Sequence, residues 1–493
     1  MRFRVALLPL LLSAAAAAGG EIGDPHLDPA PRTAAEAARI AAATAAPETF
    51  SKPQPFEGLS AGAATVRARK NADAFSQPAA SLSFAQELDF KVGNGVFRKL
   101  WVSAPSSTEA SDGLGPLFNA RACQNCHVKD GRGRPPGGPD DPNAGTTLLK
   151  VAVRGADGRQ APHPVYGGQI QDRSTPGVPA EARIDVSWEE FEVALSDGES
   201  ARLRRPTWRA ADPAYGPLGE GAALSPRIAP AMLGMGLLEA IPAADILARA
   251  DPEDADGDGI SGRPALLTGP NGAALLGRFG WKAAQPTVAG QAAAAFSGDM
   301  GISSPARPAS WGDCTEAEAA CRAGPHGAAP GETEIDEEAF ALVVFYSRNL
   351  GVPARRGEGK PAVLRGKRVF FEAGCAACHA PAFVTHRLPD EPERSFQLIW
   401  PWTDMLLHDM GEGLADGFDE GGATGSEWRT APLWGIGLTE RVSGHTYFLH
   451  DGRARSLLEA ILWHGGEADA ARDRVISMPK TDRADLLTFL GSL

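Results

Sequence analysis

The sequence predicts a mainly α protein of two similar units with loop-rich insertions, and three observations carry that prediction. The string CQNCH at Cys123–His127 returns as CAACH at Cys375–His379. Apolar residues recur at near-helical spacing ahead of the first string (Phe84, Leu88, Val92, Phe97), and a helix pattern runs from Asp336 to Leu350 before Gly351 and Pro353 stop it. Gly and Pro supply 57 and 40 of the 493 residues, which marks much of the remainder as irregular chain.

Two cysteines separated by two residues can add as thioethers to the vinyl groups of one haem, and the His that follows then lies beneath the iron. Zinc knuckles and thioredoxin-like dithiols also use paired cysteines. Here each pair is followed at once by His, and no second ligand pair completes a zinc site. The expectation is therefore two covalently bound c-type haems, on Cys123, Cys126 and His127, and on Cys375, Cys378 and His379. Each haem would supply core that short helices wrap, giving two cytochrome-c-like domains.

Such attachment needs an oxidising compartment, and the N-terminus reads as an export signal. Arg2 and Arg4 precede an apolar core from Val5 to Leu12 and a run of small residues ending at Gly20. No stretch is long enough to predict a transmembrane segment, so the expectation is a soluble periplasmic protein. A net charge of −13 argues against nucleic acid as a partner and favours a basic redox partner.

The chain then divides into a signal peptide (1–20), an Ala- and Pro-rich extension (21–80), a first haem domain with insertions (81–354) and a second haem domain (355–493). In the extension, one helix is expected from Ala35. After His127 a Gly/Pro-rich segment reads as loop. Weak alternation through residues 147–210 predicts a small β insertion in the first domain. Residues 232–247 read as helical, with Glu239 set inside the apolar string GLLEAIP; it is either a solvated helix position or a buried functional acid.

Asp254, Asp256 and Asp258 have the opening spacing of a calcium loop, although the twelfth position is Ala265 where a bidentate Glu is needed. Calcium and an empty acidic turn both remain open. Cys314 and Cys321 are left over from haem attachment, and in the periplasm a disulfide between them is the default. On a continuous helix their Cα atoms would stand about 10 Å apart, beyond bridging range, so the segment must bend for the bond to close.

Two longer strings, FGWKAAQPTVAGQ (279–291) and FLHDGRARSLLEA (448–460), resemble each other and, with the paired haem motifs, resemble the bacterial dihaem cytochrome c peroxidase superfamily. GLGPLFN (113–119), DGDGISGR (256–263) and LHDMG (407–411) are similar to the branch of di-haem oxidoreductases, also described as thiol oxidoreductases. The resemblance spans residues 80–493.

The resemblance implies a peroxidase-like oxidoreductase with one open haem and one six-coordinate, electron-transferring haem. It places Trp281 between the haems, Asp299 as the acid above the open haem with Glu239 in reserve, and His464 as second axial ligand of the C-terminal haem. Met405, Met410, His408 and His450 are alternative ligands there. Its implied partners are a small redox protein and a small oxidant such as peroxide. A non-catalytic dihaem electron carrier is the competing expectation; it needs a side chain closing the first iron, for which His163 is the candidate.

Overall fold

The computed structural model describes residues 22–138, 146–269 and 272–493; the expected export signal, residues 1–20, lies outside them. No helix among them is long and apolar enough to cross a membrane.

Two helix pairs repeat. The helix Phe84–Arg98 starts at a capping box, where Ser83 and Gln86 satisfy each other's backbone N–H groups. It leads to the first Cys pair and crosses Glu337–Arg348, a helix capped by Asp336. In the second half, Pro361–Glu372 leads to Cys375 and crosses Lys480–Leu490. Each crossing is so close that only glycine fits. A Cβ on Gly93 would stand 2.2 Å from the Leu342 carbonyl oxygen, and one on Gly366 would stand 1.9 Å from that of Asp485.

The aromatic packing repeats as well. Phe97 lies 6.3 Å from the His127 ring and 5.1 Å from Tyr346, while Phe370 lies 6.3 Å from His379 and 5.2 Å from Phe489. Phe97 and Phe370 are both buried, worth roughly 1.5–3 kcal/mol each in removal of apolar surface from water. The inward face of Phe84–Arg98 is Phe90, Gly93 and Phe97, whereas Phe84, Leu88 and Val92 are exposed. Helical spacing located this helix correctly, but of its four periodic residues only Phe97 turns into the core.

The mainly α expectation is overturned: the described residues are 31% helix and 18% strand, with the strands spread over several small sheets. Most of the strand lies between the first Cys pair and Glu239. Thr147–Arg154 pairs with Gln160–Pro162, Gln169–Ile170 and Ala223–Ile228. Arg183–Ala194 and Ser200–Ala211 form a hairpin in register from Arg183↔Ala211 to Ala194↔Ser200. Charged pairs across the hairpin, Asp185 with Arg209 at 2.7 Å and Glu190 with Arg202 at 3.6 Å, stabilise strands that have little apolar periodicity to reveal them.

The hairpin reaches the second unit, where Phe191 meets Trp463 edge-on at 5.6 Å and Arg204 donates to the Arg453 carbonyl. The extension is also anchored. Its helix Ala34–Thr44 buries nothing, yet the Asp24 side chain is almost covered and pairs with Arg278 at 2.5 Å and His386 at 2.8 Å, one from each half of the chain. Residues 232–247 form two short helices, Met235–Glu239 and Ala243–Leu247, separated by Pro242.

Candidate functional site

A single continuous cavity of about 660 Å³ runs through the molecule, walled by both Cys-x-x-Cys-His strings, Trp281, Asp299 and His464. Its wall is largely apolar, with Phe97, Leu238, Val288, Phe296, Leu457 and Ile461 among the lining side chains.

Three histidines present the same tautomer. Nδ1 of His127 lies 3.0 Å from the Pro230 carbonyl, that of His379 lies 2.9 Å from Trp402, and that of His464 lies 2.8 Å from Ala460. A carbonyl oxygen only accepts, so each Nδ1 carries the proton and each Nε2 keeps a lone pair. Burial pulls His127 and His379 down to about 4 and lowers His464 as well, so all three are neutral at physiological pH. His464 is also near enough to His379 to depress it further.

The four cysteines of the two strings form no disulfide. Burial pushes the Cys123 and Cys375 thiols up to about 12 and raises Cys126 and Cys378, so they are held as thiols, not as the thiolates of a redox dithiol. Neutral imidazoles with free Nε2 atoms, unoxidised thiols and an apolar cavity shared by both strings are the chemistry that haem requires; the residues fit that group.

Asp299 sits at the end of the helix Val288–Met300, which Thr287 caps at its start. Burial raises its carboxyl to about 6, with the Gln169 amide and the charge of Lys150 opposing part of the rise. Gln169 donates from Nε2 to Asp299 Oδ1 at 3.0 Å and also to Asn119 Oδ1 at 2.8 Å. Trp281 is fixed by a hydrogen bond from Nε1 to the Ile228 carbonyl at 2.9 Å.

Glu239 is neither solvated nor in the cavity wall. It is fully buried, bonded to Arg348 at 2.6 and 3.1 Å and to Arg394 at 3.1 Å, and it accepts the Val288 N–H at 2.8 Å. Burial pushes its carboxyl up, but the two guanidiniums outweigh that and hold it below the usual value. The structure thus removes Glu239 from the acids available to the cavity and makes it the hub of an ion-pair network.

The alternative ligands separate in the same way. His408 donates to Asp404 Oδ2 at 2.8 Å and to Glu467 Oε2 at 2.7 Å; burial opposes its protonation, but the two carboxylates hold it as an imidazolium with no lone pair to give. Met405 is buried outside the cavity lining, whereas Met410 and His450 line it. His450 stacks on Trp428 at 3.8 Å, its Nε2 has no hydrogen-bond partner, and burial keeps it neutral. His163 is outside the lining: Nε2 donates to the Leu218 carbonyl at 3.0 Å, and Nδ1 accepts the N–H groups of Val165 and Tyr166.

In the acidic turn, carboxylate oxygens of Asp251, Asp254 and Asp256 lie within 4.8 Å of one another. Asp258 instead bonds the Ile260 N–H at 2.9 Å and lines the cavity. Asp251, which the spacing argument omitted, takes the place that Asp258 was expected to fill. Cys314 and Cys321 are joined, with Cα atoms 6.2 Å apart; the only helix there, Ala319–Arg322, begins too late to hold them apart. Sequence reasoning missed Gln169, Arg132 and Arg429, none of which belongs to a recognisable string.

The family described as "Di-haem oxidoreductase, putative peroxidase" matches residues 57–148 and 161–493. The chain belongs to this family, and membership implies haem as its cofactor. No match is found among curated proteins. Among solved structures, hydrazine synthase from Kuenenia stuttgartiensis, in a xenon-pressurised form, aligns with 14% identity over 85% of this chain and 94% of that one. The TM-score of 0.28 is too low to carry an argument.

Proposed function

We propose that this protein is an exported, periplasmic dihaem peroxidase-like enzyme. The observation that carries the reading is the shared cavity, which brings both Cys-x-x-Cys-His strings together with Trp281, Asp299 and His464. Cys123 and Cys126 would hold one haem covalently with His127 as a ligand to its iron, and Cys375 and Cys378 the other with His379 and His464. Haem iron supplies a Lewis-acidic site for peroxide and the electrons that O–O cleavage consumes.

The remaining chemistry belongs to the chain. Asp299, ionised above about pH 6, accepts the proton from one peroxide oxygen and delivers it to the other, so that the departing oxygen leaves as water. Gln169 holds the carboxylate oxygen that is not needed for that transfer. Trp281 stands as a stepping stone for electrons between the two sites, and its anchored indole keeps that position fixed. A small redox protein would supply the electrons.

Calcium would take the acidic turn through Asp251, Asp254 and Asp256. The electron-carrier alternative needs a ligand that closes the first site, and His163 has both ring nitrogens engaged outside the cavity. The direct test is haem content and mass of the protein matured in a periplasm, followed by peroxide turnover with a reduced carrier. Two thioether-bound haems and Asp299-dependent turnover are expected; one haem or none, or no turnover, would contradict the reading.

A further inference from the structure

Two guanidiniums in the cavity wall lack an ion-pair partner among the described residues, and the one carboxylate whose charge reaches Arg429, that of Asp404, is bonded to His408. Arg132 donates from Nε to the Tyr447 carbonyl at 3.3 Å and from Nη2 to that of Leu449 at 3.1 Å. Arg429 donates from Nε to the Gly280 carbonyl at 3.1 Å and from Nη1 to that of Thr430 at 3.0 Å. Neither forms an ion pair among the described residues, and burial lowers both to about 10. Other cations of the same wall are paired: Lys150 with Glu420, and Arg227 with Asp416 at 2.8 Å.

A guanidinium held partly out of water without a carboxylate is unfavourable, and two of them in the wall of one apolar cavity leave two places for an anion. Both places adjoin Trp281. Arg132 lies over its indole at 5.5 Å, and the Arg429 backbone N–H donates to its carbonyl at 2.9 Å. Arg132 follows His127 by five residues. Arg429 neighbours Asp404, whose N–H is bonded to the Cys378 carbonyl at 2.9 Å.

We infer that Arg132 and Arg429 are carboxylate anchors, each gripping a propionate of the haem on its own side of Trp281. The inference rests on the dihaem reading above. Guanidinium matches carboxylate as a two-pronged donor, and a haem brings two carboxylates that must be neutralised in an apolar wall. The anchors would then fix haem orientation on either side of the tryptophan. They would also favour the reduced irons, because a fixed positive charge opposes the extra charge of the ferric state.

The test is spectroelectrochemical titration of the holoprotein carrying Arg132→Gln or Arg429→Gln, with Arg→Lys at each position as charge-preserving control. Each Gln variant is expected to shift one haem, a different one in each, at least tenfold toward the oxidised form, which is about 59 mV for one electron, and Lys should restore most of it. Two haems in each Gln variant with both potentials unmoved would overturn the anchors alone. Fewer than two haems in the unaltered protein would overturn the dihaem reading and the anchors with it. Should the Gln variants not fold, the propionate bending bands in the resonance Raman spectrum of the unaltered holoprotein decide. Bands constant from pH 5 to 8 support carboxylates held ionised by guanidinium, and bands that titrate in that range overturn the proposal.

Discussion

Asp299 and Gln169 meet through a hydrogen bond of 3.0 Å, from the amide Nε2 to the carboxylate Oδ1, that joins the cavity-lining helix Val288–Met300 to the β insertion. The insertion is thus part of the site and not an ornament on it. Because burial raises Asp299 to about 6, with Gln169 opposing, the acid is protonated below that pH and cannot accept a proton. Peroxide kcat/KM should therefore fall as pH drops below about 6. Asp299→Asn should cost about 10²–10⁴-fold and remove that acid limb. Gln169→Ala takes away a donor to the charged form, so the limb should move to higher pH. A pH–rate profile of the three proteins checks all of this.

Glu239 should behave as a structural residue. Glu239→Gln leaves Arg348 and Arg394 without their carboxylate, and breaking a buried network of this kind costs about 3–5 kcal/mol. Turnover per folded molecule should be unchanged. The sign of the pH effect follows from the lowered carboxyl: its contribution to stability is present above the ordinary Glu value and is lost as pH falls through the folded value. Denaturant titrations at neutral and acid pH should show the gap between the unaltered protein and the variant closing in acid.

Trp281→Phe keeps an aromatic ring but loses the hydrogen bond to the Ile228 carbonyl. Electron transfer between the two sites should slow while haem content stays at two. Rapid mixing of the half-reduced protein with peroxide, followed in the Soret region, separates this from a loss of peroxide binding.

The Cys314–Cys321 bridge should matter for stability and not for chemistry. It closes a loop with a sequence separation of 7, for which chain entropy predicts roughly 2–3 kcal/mol. Replacing both cysteines with Ser should lower the denaturation midpoint and leave peroxide turnover intact. Lost turnover in a folded variant would instead give the bridge a part in the chemistry.

What the sequence revealed is what depends on local pattern. The two Cys-x-x-Cys-His strings and the helix ending in Arg348 follow from local strings and spacing, whereas the cavity positions of Trp281, Asp299 and His464 came from the family resemblance. What stayed hidden depends on distant partners. The His408 imidazolium is held by Glu467, 59 residues away, as well as by nearby Asp404, and Glu239 is claimed by arginines 109 and 155 residues on. Arg132 and Arg429 look like ordinary loop residues until the cavity is seen. The strand content was underestimated because, outside the insertion that weak alternation marked, most strands are only two or three residues long, too short to show a period. Phe84, Leu88 and Val92 share one helical stripe, yet the face with Gly93 turns inward, since only a glycine allows that close approach to Leu342.

The central claim is one open and one His/His-ligated haem in a shared cavity, and low-temperature EPR of the fully oxidised holoprotein, with and without peroxide, tests it most directly. The account predicts a high-spin ferric signal beside a low-spin one, with the high-spin signal lost when peroxide is added. Two low-spin signals that peroxide leaves unchanged would contradict it.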